Sequence, residues 1–76
     1  MAKLPAVRPR EVLRFLQKNG FVLDRTSGSH LIYYHPGSRR RAVVPRHNRD
    51  LPKGTLLSLL REAGFTREEM IAFLTG

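Results

Sequence analysis

The sequence contains no cysteine, and this absence removes several kinds of chemistry at once. A chain without thiols has no disulfides, no thiolate nucleophile and no cysteine-ligated zinc. The absence of cysteine also fits a reducing cytosol. Apolar runs are also short. None approaches the length that spans a bilayer, and the first residues lack the apolar core of a secretory signal, so we expect no membrane partner.

Acidic residues are scarce. Asp and Glu number 6 against 14 Lys and Arg, which gives a formal net charge of +8. Such an excess on a small chain favours an anionic partner, most commonly nucleic acid. A basic face that docks an acidic protein is the weaker alternative. The length allows one small domain, which we place over residues 1–76.

Proline and glycine divide the chain into elements. Residues 1–8 show no periodic pattern and are predicted to be a loose lead-in. A first helix is predicted over about residues 9–19, because Pro9 suits a first helical position and Gly20 suits a helix end. The apolar face of this helix is predicted to hold Val12, Leu13 and Leu16, with Phe15 at its edge.

Three short β-branched and aromatic runs predict strands over residues 21–25, 30–35 and 42–45, joined by tight turns into an antiparallel meander. A leucine-striped helix then begins near residue 51 and ends at Gly64. A capping box formed by Thr66 and Glu69 opens a C-terminal helical extension. This extension covers residues 66–76.

The predicted fold is therefore α+β, with the order α-β-β-β-α and a short extra C-terminal helix. A three-stranded antiparallel sheet is unstable without cover on one face, so the helices are predicted to pack there. The other face stays open, as in double-stranded-RNA-binding domains. This likeness concerns the fold alone.

His30 is the candidate for chemistry. Gly28 and Ser29 precede it in a turn of little bulk, which lets a substrate backbone approach closely, and Ser29 is a candidate assistant through its hydroxyl. Imidazole exchanges a proton near neutral pH, and RNA carries its own nucleophile, the 2′-OH. An acid and a base are therefore enough to cleave it. The plainer alternative is a surface histidine beside a loop.

Strand alternation places His30 and Tyr34 on one face and Tyr33 and His35 on the other. We predict that Tyr33 is in the core and that Tyr34 lies on the open face, where it could stack a base. The two histidines point apart, His47 lies in a later loop, and no carboxylate cluster accompanies them. We therefore expect no metal site and no cofactor.

Two cationic clusters flank the third predicted strand: the arginine triplet at residues 39–41, and the group Arg46, Arg49 and Lys53. Their plain interpretation is a solvated surface, but phosphate contact explains them better. The predicted RNA-binding residues are Arg25, Gly28, Ser29, Tyr34, Arg39, Arg40, Arg41, Arg46, His47, Arg49 and Lys53.

A set of short motifs extends this prediction. They are Gly20-Phe21, Arg25, Gly28-Ser29-His30, Tyr33, Val44-Pro45, His47, Leu51, Gly54-Thr55-Leu56 and Ala63-Gly64. In this order and spacing they resemble the HicA (YcfA-like) family of toxin mRNA interferases, over about residues 9–65.

The resemblance implies a dsRBD-like fold, metal-independent mRNA cleavage in the cytoplasm and inhibition by a HicB-type antitoxin. The family's catalytic histidine falls on His30. The second proton-transfer group stays open among Ser29, Tyr34, His47 and Lys53. The extension over residues 66–76 either pads the core or contacts the antitoxin.

The leading hypothesis is thus an endoribonuclease toxin of a type II toxin–antitoxin system. A non-catalytic module that binds double-stranded or structured RNA is the alternative. The sequence leaves the oligomeric state open, and we expect a monomer when the toxin is free.

Overall fold

Six elements follow one another in the computed structural model, which describes residues 3–47 and 49–76. In chain order they are α1 (Pro9–Lys18), β1 (Val22–Ser27), β2 (His30–Tyr34), β3 (Arg41–Pro45), α2 (Lys53–Ala63) and α3 (Arg67–Thr75). This order confirms the predicted α+β class and the extra C-terminal helix. Within the described ranges, no helix is long and apolar enough to cross a membrane.

The three strands form one antiparallel sheet in the order β1-β2-β3. The first turn is shorter than predicted, because Thr26 and Ser27 pair with β2 instead of joining the loop. Only Gly28 and Ser29 remain as the connection. Gly28 has a φ of 57°, and a glycine with positive φ at this first loop position is typical of a type II′ hairpin turn.

In the part of the chain that the structure describes, one face of the sheet carries no helix, and cross-strand partners identify the residues of this face. Directly paired residues project to the same side of a sheet. Three cross-strand rows of residues therefore share one side of the sheet, which we call the open face. The rows are Ser27–His30–Pro45, Arg25–Ile32–Val43 and Val22–Tyr34–Arg41.

The opposite face carries the core. Tyr33, Ala42 and Val44 are buried against the helices, whereas all of β1 is exposed. The helices therefore cover β2 and β3 and leave β1 as an uncovered edge. This arrangement confirms that Tyr33 is a core residue and that Tyr34 lies on the other side.

Two predictions about α1 and its lead-in were wrong. Phe15 is fully packed, not at the edge, because its ring meets Phe65 at 4.7 Å and Phe73 at 5.4 Å between centroids. The lead-in is not loose: Leu4 and Val7 are buried. The Val7 carbonyl also accepts a 2.7 Å hydrogen bond from the backbone N–H of the buried Leu51, which ties the lead-in to the segment before α2. Residues 1 and 2 of the lead-in lie outside the described residues.

The predicted helix boundaries are close to the observed ones. Gly64 ends α2 in the left-handed conformation, with a φ of 90°. Thr66 and Glu69 form the predicted capping box of α3: the Thr66 hydroxyl accepts from the Glu69 N–H at 3.1 Å, and the Glu69 carboxylate accepts from the Thr66 N–H at 2.8 Å. Met70 is fully buried, so α3 contributes to the core.

Candidate nucleic-acid interface

His30 is the first residue of the central strand and is exposed. Its strand partners are Ser27 and Pro45, which fix the backbone from both sides. The preceding turn adds almost no bulk, since even a Cβ placed on Gly28 would meet no atom within 4 Å. The imidazole thus lies on a rigid strand beside an open turn. We call this end of the sheet the turn end.

The segment after β3 is tied to this turn. The backbone N–H of Arg46 donates a 2.7 Å hydrogen bond to the Ser29 carbonyl. In the next residue, His47 accepts a 3.1 Å hydrogen bond at Nδ1 from the Arg49 N–H. A neutral His47 in this arrangement carries its proton on Nε2 and acts there as a donor. Arg46 and His47 therefore belong to the turn end.

Both of the longer helices begin at the turn end. The last turn of α2 lies beside the start of β3, because Arg40 Nη1 donates to the Glu62 carbonyl at 3.3 Å. α2 begins at Lys53, two residues after Leu51, which is hydrogen-bonded to Val7 just before α1, so its first turn lies at the end where α1 begins. Arg10, in the first turn of α1, lines a cleft there together with Arg46. The positive ends of the two helix dipoles reinforce these cations.

The predicted arginine triplet does not join this site. Residues 39–41 lie at the opposite end of β3 from Arg46, so the two predicted clusters do not form one surface. Arg40 is held against the C-terminal end of α2. Arg41 Nη1 is 2.9 Å from Asp24 Oδ2, and its Cζ lies 4.8 Å from the Tyr34 ring centroid. These contacts give Arg40 and Arg41 individual structural partners.

Tyr34 shares the open face with His30 but is distant from it. Four residues along a strand correspond to about 13 Å. The Arg41 guanidinium also covers the Tyr34 ring. Tyr34 is therefore too far along the strand to act on the same phosphate as His30.

His35 has a structural position away from His30. Its ring packs edge-on against Phe21 at 5.1 Å, and its Nδ1 accepts a 3.0 Å hydrogen bond from the Ser38 N–H. Over residues 3–47 and 49–76, no group of three His, Asp or Glu side chains is arranged to hold a metal ion.

A model of a known protein family matches most of the chain. The family described as HicA toxin of bacterial toxin–antitoxin systems matches residues 9–65, from the start of α1 to Phe65. The chain belongs to the HicA toxin family. It is accordingly a toxin of a toxin–antitoxin system, and an antitoxin is its expected partner. No curated protein matched the chain.

Three features of this HicA-family toxin were not predicted from its sequence. Val22 and Val43 are 52% and 42% exposed on the open face, although valines in short strands usually indicate core. Asp24 forms a bulge in β1 and reaches Arg41, a contact that no local pattern signals. Arg10 appears in the sequence only as part of the polar side of α1. Its place in the cleft depends on the packing of α1 against the sheet.

Proposed function

We propose that this HicA-family toxin is an mRNA endoribonuclease that needs no metal ion and uses His30 as its general base. The observation that carries the proposal is the exposed imidazole beside the open Gly28–Ser29 turn, at an end of the sheet where cations and two helix N-termini collect. Membership of a toxin family supports an activity against a cellular target.

The reaction uses a nucleophile already present in RNA. His30 accepts the proton of a ribose 2′-OH, and the 2′-oxygen then attacks the adjacent phosphorus. The bond from phosphorus to the 5′-oxygen breaks, and that oxygen takes up a proton. The products are a 2′,3′-cyclic phosphate and a 5′-hydroxyl. Arg46 and Arg25 stabilise the charge that develops on the phosphoryl oxygens.

The group that protonates the leaving oxygen must also lie at the turn end. Tyr34 does not meet this condition, because it lies about 13 Å along the strand. Ser29, His47 and Lys53 do meet it. His47 is further suited to hydrogen-bond donation, because its Nδ1 already accepts from the Arg49 N–H.

A HicB-type antitoxin is the proposed cytoplasmic inhibitor. The open face offers it an apolar surface, since Val22 and Val43 are exposed there and Ile32 lies between them. Apolar surface rimmed by polar groups is typical of a protein-binding site. Because His30 is on the same face, an antitoxin bound there would also cover the imidazole.

The test compares wild type with His30→Gln on single-stranded mRNA fragments in the presence of EDTA. Glutamine keeps hydrogen-bonding capacity but cannot exchange protons, so cleavage should fall by about 10²- to 10⁴-fold. Arg61→Ala, an exposed change near the C-terminal end of α2, is the control and should cleave like wild type.

Two outcomes would contradict the proposal. One is cleavage by His30→Gln at the wild-type rate, and the other is cleavage that requires an added divalent ion. Wild-type protein that binds RNA in a salt-sensitive complex but leaves it intact would instead support the non-catalytic RNA-binding module.

A further inference from the structure

A cleft of about 360 Å³ opens at the turn end, where the end of β3 meets the start of α1. Its apolar floor is formed by Leu13 of α1, Leu31 of β2 and Pro45 of β3. Its polar rim is formed by Arg10, Arg46 and His47. His30 is not one of the lining residues, so this cleft is separate from the proposed catalytic position.

We propose that this cleft binds one unpaired nucleotide of single-stranded RNA, next to the nucleotide held at His30, and that it prefers a base with a keto oxygen at C4 of a pyrimidine or C6 of a purine. The inference rests on the proposed function, since it extends the same RNA strand. A nucleobase has two apolar faces and a polar edge, and an apolar floor with a polar rim matches that shape. The volume lies at the lower end of the range for small-ligand sites, about 300–1,000 Å³.

The charge of the rim identifies the class of ligand. Arg10 and Arg46 are exposed and cationic, and the N-terminal end of the α1 dipole lies beside them. No Asp or Glu is among the described residues that line the cleft. The cations therefore favour a phosphate on a strand that enters the cleft. An acidic side chain could also pair with them, but it has no flat apolar group that would cover the floor.

The donors of the rim identify the base. Arginine offers only hydrogen-bond donors, and His47 presents Nε2–H because its Nδ1 accepts from the Arg49 N–H. Among the residues that the structure describes, the lining side chains thus supply donors and no carboxylate or amide acceptor. The C4 keto oxygen of uracil and the C6 keto oxygen of guanine can accept from them, whereas the amino groups that cytosine and adenine carry at these positions would face other donors.

The cleft and His30 are close enough for one strand to occupy both. Pro45 lines the cleft and is the direct strand partner of His30, and such partners have Cα atoms about 5 Å apart. The Ser29 carbonyl holds the backbone of Arg46 at 2.7 Å. An RNA strand that leaves His30 and passes around the end of β3 therefore arrives at the rim.

The experiment measures binding of short oligouridylate and oligocytidylate by fluorescence anisotropy. Uracil carries a keto oxygen at C4 and cytosine carries an amino group there, so the two probes differ in the group that the rim is proposed to recognise. All proteins carry His30→Gln so that the RNA stays intact. Arg10→Ala and His47→Ala remove rim donors. Arg14→Ala is the matched control, because it removes one exposed cation one turn further along α1, outside the cleft.

We expect the parent protein to bind oligouridylate more tightly, by about tenfold, the usual scale for a base-edge contact. Arg10→Ala and His47→Ala should abolish this preference, whereas Arg14→Ala should weaken both probes equally. Equal binding of both probes by the parent, or a preference that survives Arg10→Ala and His47→Ala, would overturn the proposal. The proposal would also be overturned if Arg10→Ala and His47→Ala bound RNA as the parent does but no longer bound the antitoxin.

The two proposals fail separately. If the cleft variants lose base preference but wild type never cleaves RNA, the cleft stands as a nucleotide site and the nuclease assignment falls. If His30→Gln abolishes cleavage while the cleft variants bind and discriminate as the parent does, the nuclease assignment stands and the cleft proposal falls.

Discussion

Replacement of Met70 by alanine tests whether the C-terminal helix is part of the folded core. This helix lies beyond residues 9–65, the range that matches the HicA family. Met70 is nevertheless fully buried, and Phe73 of the same helix packs edge-on against Phe15. We therefore expect Met70→Ala to destabilise the whole protein and not only its last residues.

The expected magnitude follows from burial. Truncating a buried methionine to alanine costs about 2–5 kcal/mol. A chain of 76 residues has a free energy of unfolding of about 4–11 kcal/mol, taken at about 0.05–0.15 kcal/mol per residue. A loss of about 3 kcal/mol would lower the melting temperature by about 12–24 °C in a protein of this size.

Urea unfolding followed by circular dichroism measures the change in the free energy of unfolding. An unchanged slope of this free energy against urea concentration would show that the folded and unfolded states keep their compactness. Glu68→Ala is the control on the same helix, where an exposed acidic residue near the helix start contributes below about 1 kcal/mol. A Met70→Ala protein within about 0.5 kcal/mol of wild type would refute the reasoning, since that is the effect of an ordinary surface change.

Two further predictions concern the open face. Asp24→Ala should change the free energy of unfolding by less than about 1 kcal/mol, because its ion pair with Arg41 joins side chains that are 43% and 57% exposed. It should strengthen RNA binding in a filter assay, because it removes a negative charge that lies beside the open face, and weaker binding would contradict the prediction. Val43→Lys should weaken antitoxin binding in titration calorimetry by about tenfold or more, with the melting temperature retained. An unchanged affinity would place the antitoxin elsewhere.

The arginines illustrate how charge in the sequence divides into different roles. Arg39, Arg40 and Arg41 form the densest run of positive charge, yet Arg40 binds the end of α2 and Arg41 binds Asp24. Arg46 is less conspicuous in the sequence, but its backbone is hydrogen-bonded to the turn before His30. Proximity to the proposed catalytic residue therefore follows the path of the chain, not the local density of charge.

The sequence by itself determined the elements and the two faces of β2. Pro9 at the start of α1, Gly64 after α2 and the Thr66 capping box act through neighbours within about one helical turn, so local pattern is enough to place them. Alternation along a strand likewise separated Tyr33 from Tyr34 and predicted that His30 lies on the open face.

Only the tertiary structure decided which distant residues meet. The burial of Val7 depends on its bond to the segment before α2, and the burial of Phe15 depends on the docking of α3. The cleft requires α1 to bring Arg10 beside Arg46. These contacts join segments far apart in sequence, and their geometry is set by how the helices pack across the sheet. Periodicity within one segment carries no information about that packing.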